Sequence, residues 1–113
     1  MSPGFPRRIK VMTDYETFPL WDIGPSGPAP IDPRGLPIRP SLILAFEAWQ
    51  QWYDETLNHH DPAKSGFDDA NQLSLFVEEG KQLARRLAIA LHSQAEVVFF
   101  DPRDSTLYPV SSD

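Results

Sequence analysis

Cysteine is absent from the 113 residues of the chain. Disulfides, thiolate nucleophiles and cysteine-ligated zinc sites are therefore excluded by composition. Long apolar runs are also missing: no stretch approaches the ~20 apolar residues of a membrane helix, and the N-terminus lacks the apolar segment of a signal peptide. We therefore expect a cytoplasmic protein that has no membrane partner.

The signatures of common catalytic and nucleotide-binding sites are missing as well. The sequence has no Walker loop, no GxGxxG, no GxSxG elbow, no HExxH motif and no EF-hand spacing. Its nearest approach to a ligand set is His59, His60 and Asp61, but adjacent histidines at a helix end do not readily converge on one ion. We expect no bound metal, no cofactor and no catalytic residue.

Negative charge is concentrated in the middle of the chain. The formal net charge is −6, and residues 44–80 contain eight acids against the single base Lys64, which makes that segment −7. Such a field repels nucleic acid and speeds the encounter with a basic partner. For any one of these acids, a solvated helical face is the ordinary alternative.

Two amphipathic helices are the clearest predicted elements. Ser41 can cap the first helix, and Asp69, with Gln72 three residues later, can cap a second helix of about 22 residues. Gly80 lies on the apolar face of the second helix, which indicates a close approach to the first helix or to a sheet. The apolar face of the first helix is formed by Leu42, Ala45, Phe46, Trp49, Tyr53 and Leu57.

Strands are expected on both sides of the helices, at 8–12 and 96–101, with short additional strands possible at 20–23 and 107–110. Residues 24–40 contain six prolines and three glycines, so this segment is predicted to be a proline-rich loop. The predicted fold class is α+β, a small sheet of two to four strands with two long helices packed on one face. Residues 1–113 form a single predicted domain, with a flexible lead-in at 1–6 and a frayed tail at 111–113.

Three segments of the chain carry a family resemblance: KVMTDYETFPLW at 10–21, YDETLNHHDPAKSGF at 53–67 and FVEEGKQLARRLAIAL at 76–91. Together they resemble a family of small bacterial immunity proteins, the partners of polymorphic and contact-dependent growth-inhibition toxins. The resemblance implies a cytoplasmic protein that binds and blocks the C-terminal toxin domain of its own system, often a nuclease. It implies no catalytic role for any residue of these segments.

A binder of a basic nuclease needs acids that steer association and aromatic side chains that anchor it. The candidate anchors are Tyr15, Trp21 and Phe67. The candidate pairing acids are Asp14, Glu16, Asp22, Asp61, Asp68 and Asp69. The structural alternative for the middle segment is that Asp54, Asn58, Ser65 and Gly66 stabilise the connection between the helices by capping and turn hydrogen bonds.

The sequence therefore predicts an immunity protein that neutralises a cognate toxin domain, a basic nuclease, by blocking its active site. It also predicts no direct binding of nucleic acid. Two alternatives stay open. One is an enzyme that uses His59, His60 and Asp61, and the other is a regulatory binding domain that self-associates through Trp21 and the proline-rich loop.

Overall fold

The computed structural model describes residues 6–25, 27–58, 60–61, 66–67, 69–92 and 94–112. The strands are β1 (Arg8–Val11), β2 (Leu20–Asp22), β3 (Ala29–Ile31), β4 (Glu96–Asp101) and β5 (Thr106–Val110). The helices are α1 (Pro40–Asp54) and α2 (Ala70–Ala90), and a short 3₁₀ turn at Pro33–Gly35 precedes α1. The α+β class is confirmed, but the sheet formed by the described residues has five strands rather than two to four.

The strands lie in the order β3-β2-β1-β4-β5. β1 and β4 are parallel, and the other neighbouring strands are antiparallel. Because β1 and β4 are parallel, their C-terminal ends lie side by side, and the loop at 12–19 and the turn at 102–105 follow from the same end of these two strands. Lys10 pairs with Trp21 on one side and with Val98 on the other, so these three residues share one face of the sheet.

The additional strand lies within the segment that the sequence predicts to be a loop. Pro30 in β3 pairs with Trp21 at one edge of the sheet, and Pro109 in β5 pairs with Val98 at the other edge. Proline has no backbone N–H, so an edge strand can contain it where a central strand cannot. The prediction of a loop over the whole of 24–40 is wrong because proline content does not distinguish an edge strand from a loop.

The two helices begin in different ways. Pro40 is the first residue of α1 and Arg39 is its N-cap, so the predicted cap at Ser41 is wrong. The fixed φ of proline suits the first helical position, where no N–H is needed. The predicted cap of α2 is confirmed, since the Asp69 carboxylate accepts a hydrogen bond from the Asn71 N–H at 2.6 Å.

The core lies between the helices and one face of the sheet. Trp49 of α1 stacks on Phe76 of α2 with 4.7 Å between ring centroids, and its indole N–H donates to the Phe76 carbonyl at 3.0 Å. Phe99 of β4 belongs to the same buried cluster. Val98 is also buried but lies outside that cluster, as expected for a residue that points to the opposite face of the sheet.

Gly80 lies where α2 meets both α1 and β4. A Cβ built on Gly80 would overlap the Trp49 indole and come within 2.8 Å of Phe99 Cε1. The close approach predicted from the sequence is thus confirmed, and it is made by aromatic rings from both neighbours. The next residue, Lys81, has its Nζ 3.9 Å from a carboxylate oxygen of Glu78, an ion pair between residues i and i+3 of α2.

A buried carboxylate ends β4. The Asp101 side chain is only 3% exposed, and its Oδ2 lies 2.8 Å from an Arg103 guanidinium nitrogen and 3.9 Å from Lys81 Nζ. The hydrogen bonds from Arg103 are the largest cause of a pKa of Asp101 below its ordinary value, and burial acts in the opposite direction. The ion pair therefore stabilises the turn between β4 and β5.

We expect Gly80→Ala to destabilise the protein by about 1–3 kcal/mol, because overpacking a rigid aromatic contact outweighs the ~1 kcal/mol gain in helix propensity. Urea denaturation followed by circular dichroism measures the change. Asn71→Ala, at an exposed position of the same helix, is the control, with an expected effect within about 0.5 kcal/mol. A Gly80→Ala variant as stable as the parent would show that α1 and β4 move apart at little cost.

We expect Asp101→Asn to lower the free energy of unfolding at neutral pH by about 1–2 kcal/mol, since solvent around Arg103 partly screens the pair. The folded-state pKa lies below the ordinary value of 3.8, so the stabilisation is complete above that value. It is lost as the pH falls further, through the folded-state pKa. Unfolding at a series of pH values should therefore show parent and variant converging in acid; a stability difference of the same size at every pH would contradict the role of the ion pair.

Candidate partner-binding surface

The loop at 12–19 is fastened to the C-terminal part of α1. The Tyr15 ring stacks on Tyr53 with 4.5 Å between centroids and 27° between planes. The hydroxyls of Tyr15 and Thr56 are hydrogen-bonded at 2.8 Å. Glu16 donates its backbone N–H to the Asp54 carboxylate at 2.9 Å. The loop is thus positioned by a ring stack and by two hydrogen bonds.

Gln50 of α1 also links the loop at 12–19 to the helix. Its side-chain N–H₂ donates to the Asp14 carbonyl at 2.7 Å and to Asp54 Oδ1 at 3.0 Å. Glu16 has a φ of 58°, a left-handed conformation that costs free energy for a residue with a side chain. The hydrogen bond from its N–H to Asp54 stabilises this conformation, so the contacts with α1 determine the shape of the loop.

The docked loop changes the surroundings, and with them the pKa, of the Tyr53 phenol. Burial is the largest cause that raises its pKa to about 12, and the neighbouring Tyr15 and Asp14 act in the same direction. The Tyr53 phenol therefore stays neutral although the side chains of Asp14 in the loop and Asp54 in α1 lie beside it. A neutral phenol in this position adds apolar surface without adding charge.

The candidate anchor Phe67 reaches the same region from the connection between the helices. Its ring centroid lies 6.5 Å from that of Tyr53 and 4.9 Å from that of Phe76. Trp52 packs edge-on against Phe67 at 5.9 Å. A row of partly buried rings therefore runs from Tyr15 through Tyr53 to Phe67.

Together these residues form what we call the aromatic–acidic patch, which consists of Asp14, Tyr15, Glu16, Tyr53, Asp54 and Phe67. Asp14 and Glu16 are exposed, whereas Asp54 and the three rings are partly buried. The patch brings together four of the residues predicted from the sequence. Tyr53 and Asp54 were missed, because their positions on α1 indicate a core residue and a solvated acid until the loop is docked against them.

The other predicted residues lie elsewhere. Trp21 is on the sheet face that Lys10 shares, donates its indole N–H to the Met12 carbonyl at 2.8 Å, and has Lys10 Nζ 5.8 Å from its ring. Asp22 accepts a hydrogen bond from the Gly24 N–H. Asp69 caps α2, and Asp68 lies outside the described residues.

Of His59, His60 and Asp61, the structure describes only His60 and Asp61, and Ser65 also lies outside the described residues. His60 and Asp61 each donate a backbone N–H to the Asn58 side-chain oxygen at 3.0 Å, so the turn role predicted for Asn58 is confirmed. Within the described ranges, no group of three or more His, Asp or Glu side chains could bind a metal ion.

No helix in the described part of the chain combines the length and the apolar character needed to cross a membrane.

We expect a late-titrating phenol in an absorbance titration, and Tyr53→Phe should remove it. Because the pKa of Tyr53 rises from 10.0 to about 12 on folding, the linked stabilisation is complete below pH 10. It is lost as the pH rises toward the folded-state value. Unfolding measured across this range should show a steeper alkaline loss of stability for the parent than for Tyr53→Phe. Equal slopes for the parent and Tyr53→Phe would contradict the assignment.

No curated protein matches the chain. A family model described as "Serratia CdiI immunity protein-like" matches residues 7–102, a range that contains β1 to β4, both helices and all six residues of the aromatic–acidic patch. The match extends over most of the 113 residues, so the chain belongs to the Serratia CdiI immunity protein-like family.

Proposed function

We propose that the protein neutralises a cognate toxin domain by covering its basic, nuclease-type active site with the aromatic–acidic patch. Membership of an immunity-protein family supports an immunity function and a toxin protein as the partner. The single observation that carries the choice of surface is the fastening of the loop at 12–19 to α1, through Tyr15 and Glu16.

The patch is suited to an inhibitor because its loop is ordered before the partner arrives. An interface loses affinity when it must order loops and side chains on binding. Here the backbone of Asp14 and Glu16 is already positioned by Gln50 and Asp54, while their side chains are exposed. Two carboxylates are thus presented to a partner at little entropic cost.

The chemistry of the patch matches a site that binds phosphates. A nuclease needs basic residues to bind the nucleic acid backbone, and the same residues attract carboxylates. Asp14 and Glu16 provide the charge that speeds encounter, and the rings of Tyr15 and Phe67 provide apolar surface of the kind enriched in binding hot spots. The inhibitor therefore competes with the substrate for one groove, in the cytoplasm, and performs no chemistry of its own.

The remaining candidate residues have secondary places in this proposal. Asp61 and Asp69 belong to the connection between α1 and α2, which also contains Phe67. Asp68, outside the described residues, is a candidate by its sequence position alone. Trp21 and Asp22 lie on β2, away from the contacts that define the patch, and take part where the toxin extends past the loop at 12–19. They are proposed as peripheral contacts.

We expect the double variant Asp14→Asn/Glu16→Gln to slow association with the purified C-terminal toxin domain of the same system by about tenfold at low salt. Dissociation should change less, because exposed charges act mainly on the encounter. Stopped-flow fluorescence measures both rates, and raising the salt concentration should diminish the difference between parent and variant. Glu96→Gln, an exposed acid on β4, is the matched control.

Protection of a nucleic acid substrate from the toxin provides the second measurement. Loss of protection in parallel with slower association supports active-site blocking by the patch. Unchanged association of the double variant would contradict the patch while leaving the immunity function intact. A toxin domain that binds the protein tightly but cuts no nucleic acid would contradict only the nuclease assignment.

A further inference from the structure

The outer face of the helices exposes large apolar side chains that the patch does not use. Leu75 and Ile89 of α2 are 61% and 51% exposed, and Leu44 of α1 is 65% exposed. Single exposed apolar residues are ordinary, and polar and charged residues separate Leu75 from Ile89 along α2, so exposure alone does not mark an interaction site. The arrangement of Leu75 and Ile89 along α2 therefore matters.

These two residues end a regular row along the exposed side of α2. The row, called the outer stripe here, consists of Leu75, Glu79, Gln82, Arg86 and Ile89. Its steps of four, three, four and three residues are the spacing of a helix seam that faces another helix, but three of the five side chains are polar or charged, so charge pairing has to supply the specificity. All five residues are exposed, and the buried residues of α2 lie on other sides of the helix.

The outer stripe has the same chemistry in both directions. Gln82 is at its centre, with an acid and a base on either side at Glu79 and Arg86, and an aliphatic residue at each end. When a second identical stripe lies antiparallel to it, Glu79 faces Arg86 and Leu75 faces Ile89, twice over. This is the self-complementarity that a two-fold interface requires.

A groove between α1 and α2 lies at each end of the outer stripe, and each groove is lined by one aliphatic and one charged residue of the stripe. The first has a volume of about 410 Å³ and is lined by Ala45, Ala48, Trp49, Trp52, Leu75 and Glu79. The second has a volume of about 270 Å³ and is lined by Arg39, Leu42, Arg86, Ile89 and Ala90. In an antiparallel arrangement, the groove beside Glu79 receives the Ile89 end of the second copy, and the groove beside Arg86 receives the Leu75 end.

We infer that the protein forms a two-fold symmetric dimer in which α2 packs antiparallel against α2 of a second copy, centred on Gln82. The stripe from Leu75 to Ile89 spans about 21 Å at 1.5 Å per residue. That length corresponds to an interface at the small end of specific ones, so the dimer dissociates in the micromolar range, about 1–100 µM. The outer stripe shares no residue with the aromatic–acidic patch, so the inference does not depend on the proposed function.

Sedimentation equilibrium of the full chain from about 1 to 500 µM tests the dimer itself. Glu79→Arg and Arg86→Glu should each weaken dimerisation by about tenfold or more, because each places like charges opposite one another twice. The combined variant Glu79→Arg/Arg86→Glu restores opposite charges and should return the dissociation constant to within about threefold of the parent. Glu96→Arg carries the same charge change as Glu79→Arg but lies on β4, and it should have no effect.

A cross-link tests the geometry. Because the chain has no cysteine, Gln82→Cys introduces one thiol at the two-fold axis, where the two Cβ atoms are close enough for a disulfide. Oxidation should convert this variant into a covalent dimer, whereas Gln94→Cys, beyond the end of α2, should remain monomeric.

A parent protein that is monomeric at every concentration overturns the inference. So does a dimer that is insensitive to Glu79→Arg, or one that the combined variant fails to restore. If the parent is monomeric and Leu75→Asp abolishes binding of the purified toxin domain, the outer stripe binds the toxin and the dimer is likewise overturned. Circular dichroism of each variant verifies that the fold is retained.

Discussion

Because Gly80 has no side chain, α2 can lie close to both α1 and the sheet. Trp49 and Phe99 occupy the space that any Cβ at this position would take. The same Trp49 ring stacks on Phe76 and is hydrogen-bonded to its carbonyl. Because protein interiors are close-packed, a shift of this contact would move α1 relative to both α2 and the sheet. The position of α1 in turn determines where the loop at 12–19 can dock.

The aromatic–acidic patch depends indirectly on the packing of α1 against α2 and the sheet. Phe76 packs against Phe67, and Tyr53 stacks on Tyr15, so a continuous series of rings connects the core to the surface. The carboxylates of the patch lie on a loop whose backbone is hydrogen-bonded to Gln50 and Asp54 of α1. A rigid core thereby supports a surface that presents charge without a large ordering cost on binding.

The two faces of the helical layer have different roles in this description. Toward the sheet, α2 is apolar and buried, with Val77, Leu83 and Leu87 in the core cluster. Away from it, α2 carries the outer stripe, with an aliphatic residue at each end and Glu79 and Arg86 on either side of Gln82, an arrangement that is complementary to an antiparallel copy of itself. One helix thus stabilises the fold with one side and offers an interaction surface with the other, and the proposed toxin surface involves neither side of α2.

Periodicity and capping chemistry, which are local properties, were enough to predict much of this molecule. The Asp69 cap, the strand at 96–101 and the close approach at Gly80 follow from residue types at short spacings, and the structure confirms them. The family resemblance is likewise a property of the linear sequence, and the family match over 7–102 confirms it.

Tertiary structure alone decided the features that depend on distant partners. β3 exists because residues 29–31 find β2 to pair with at a sheet edge that tolerates Pro30. Tyr53 and Asp54 join the candidate surface because a loop about 40 residues earlier in the chain docks on them. Trp21 is not part of the candidate surface, because its position on β2 places the ring on the face of the sheet that the helices do not cover. Pairing and docking are set by contacts between segments far apart in sequence, and such contacts leave no periodic pattern within either segment.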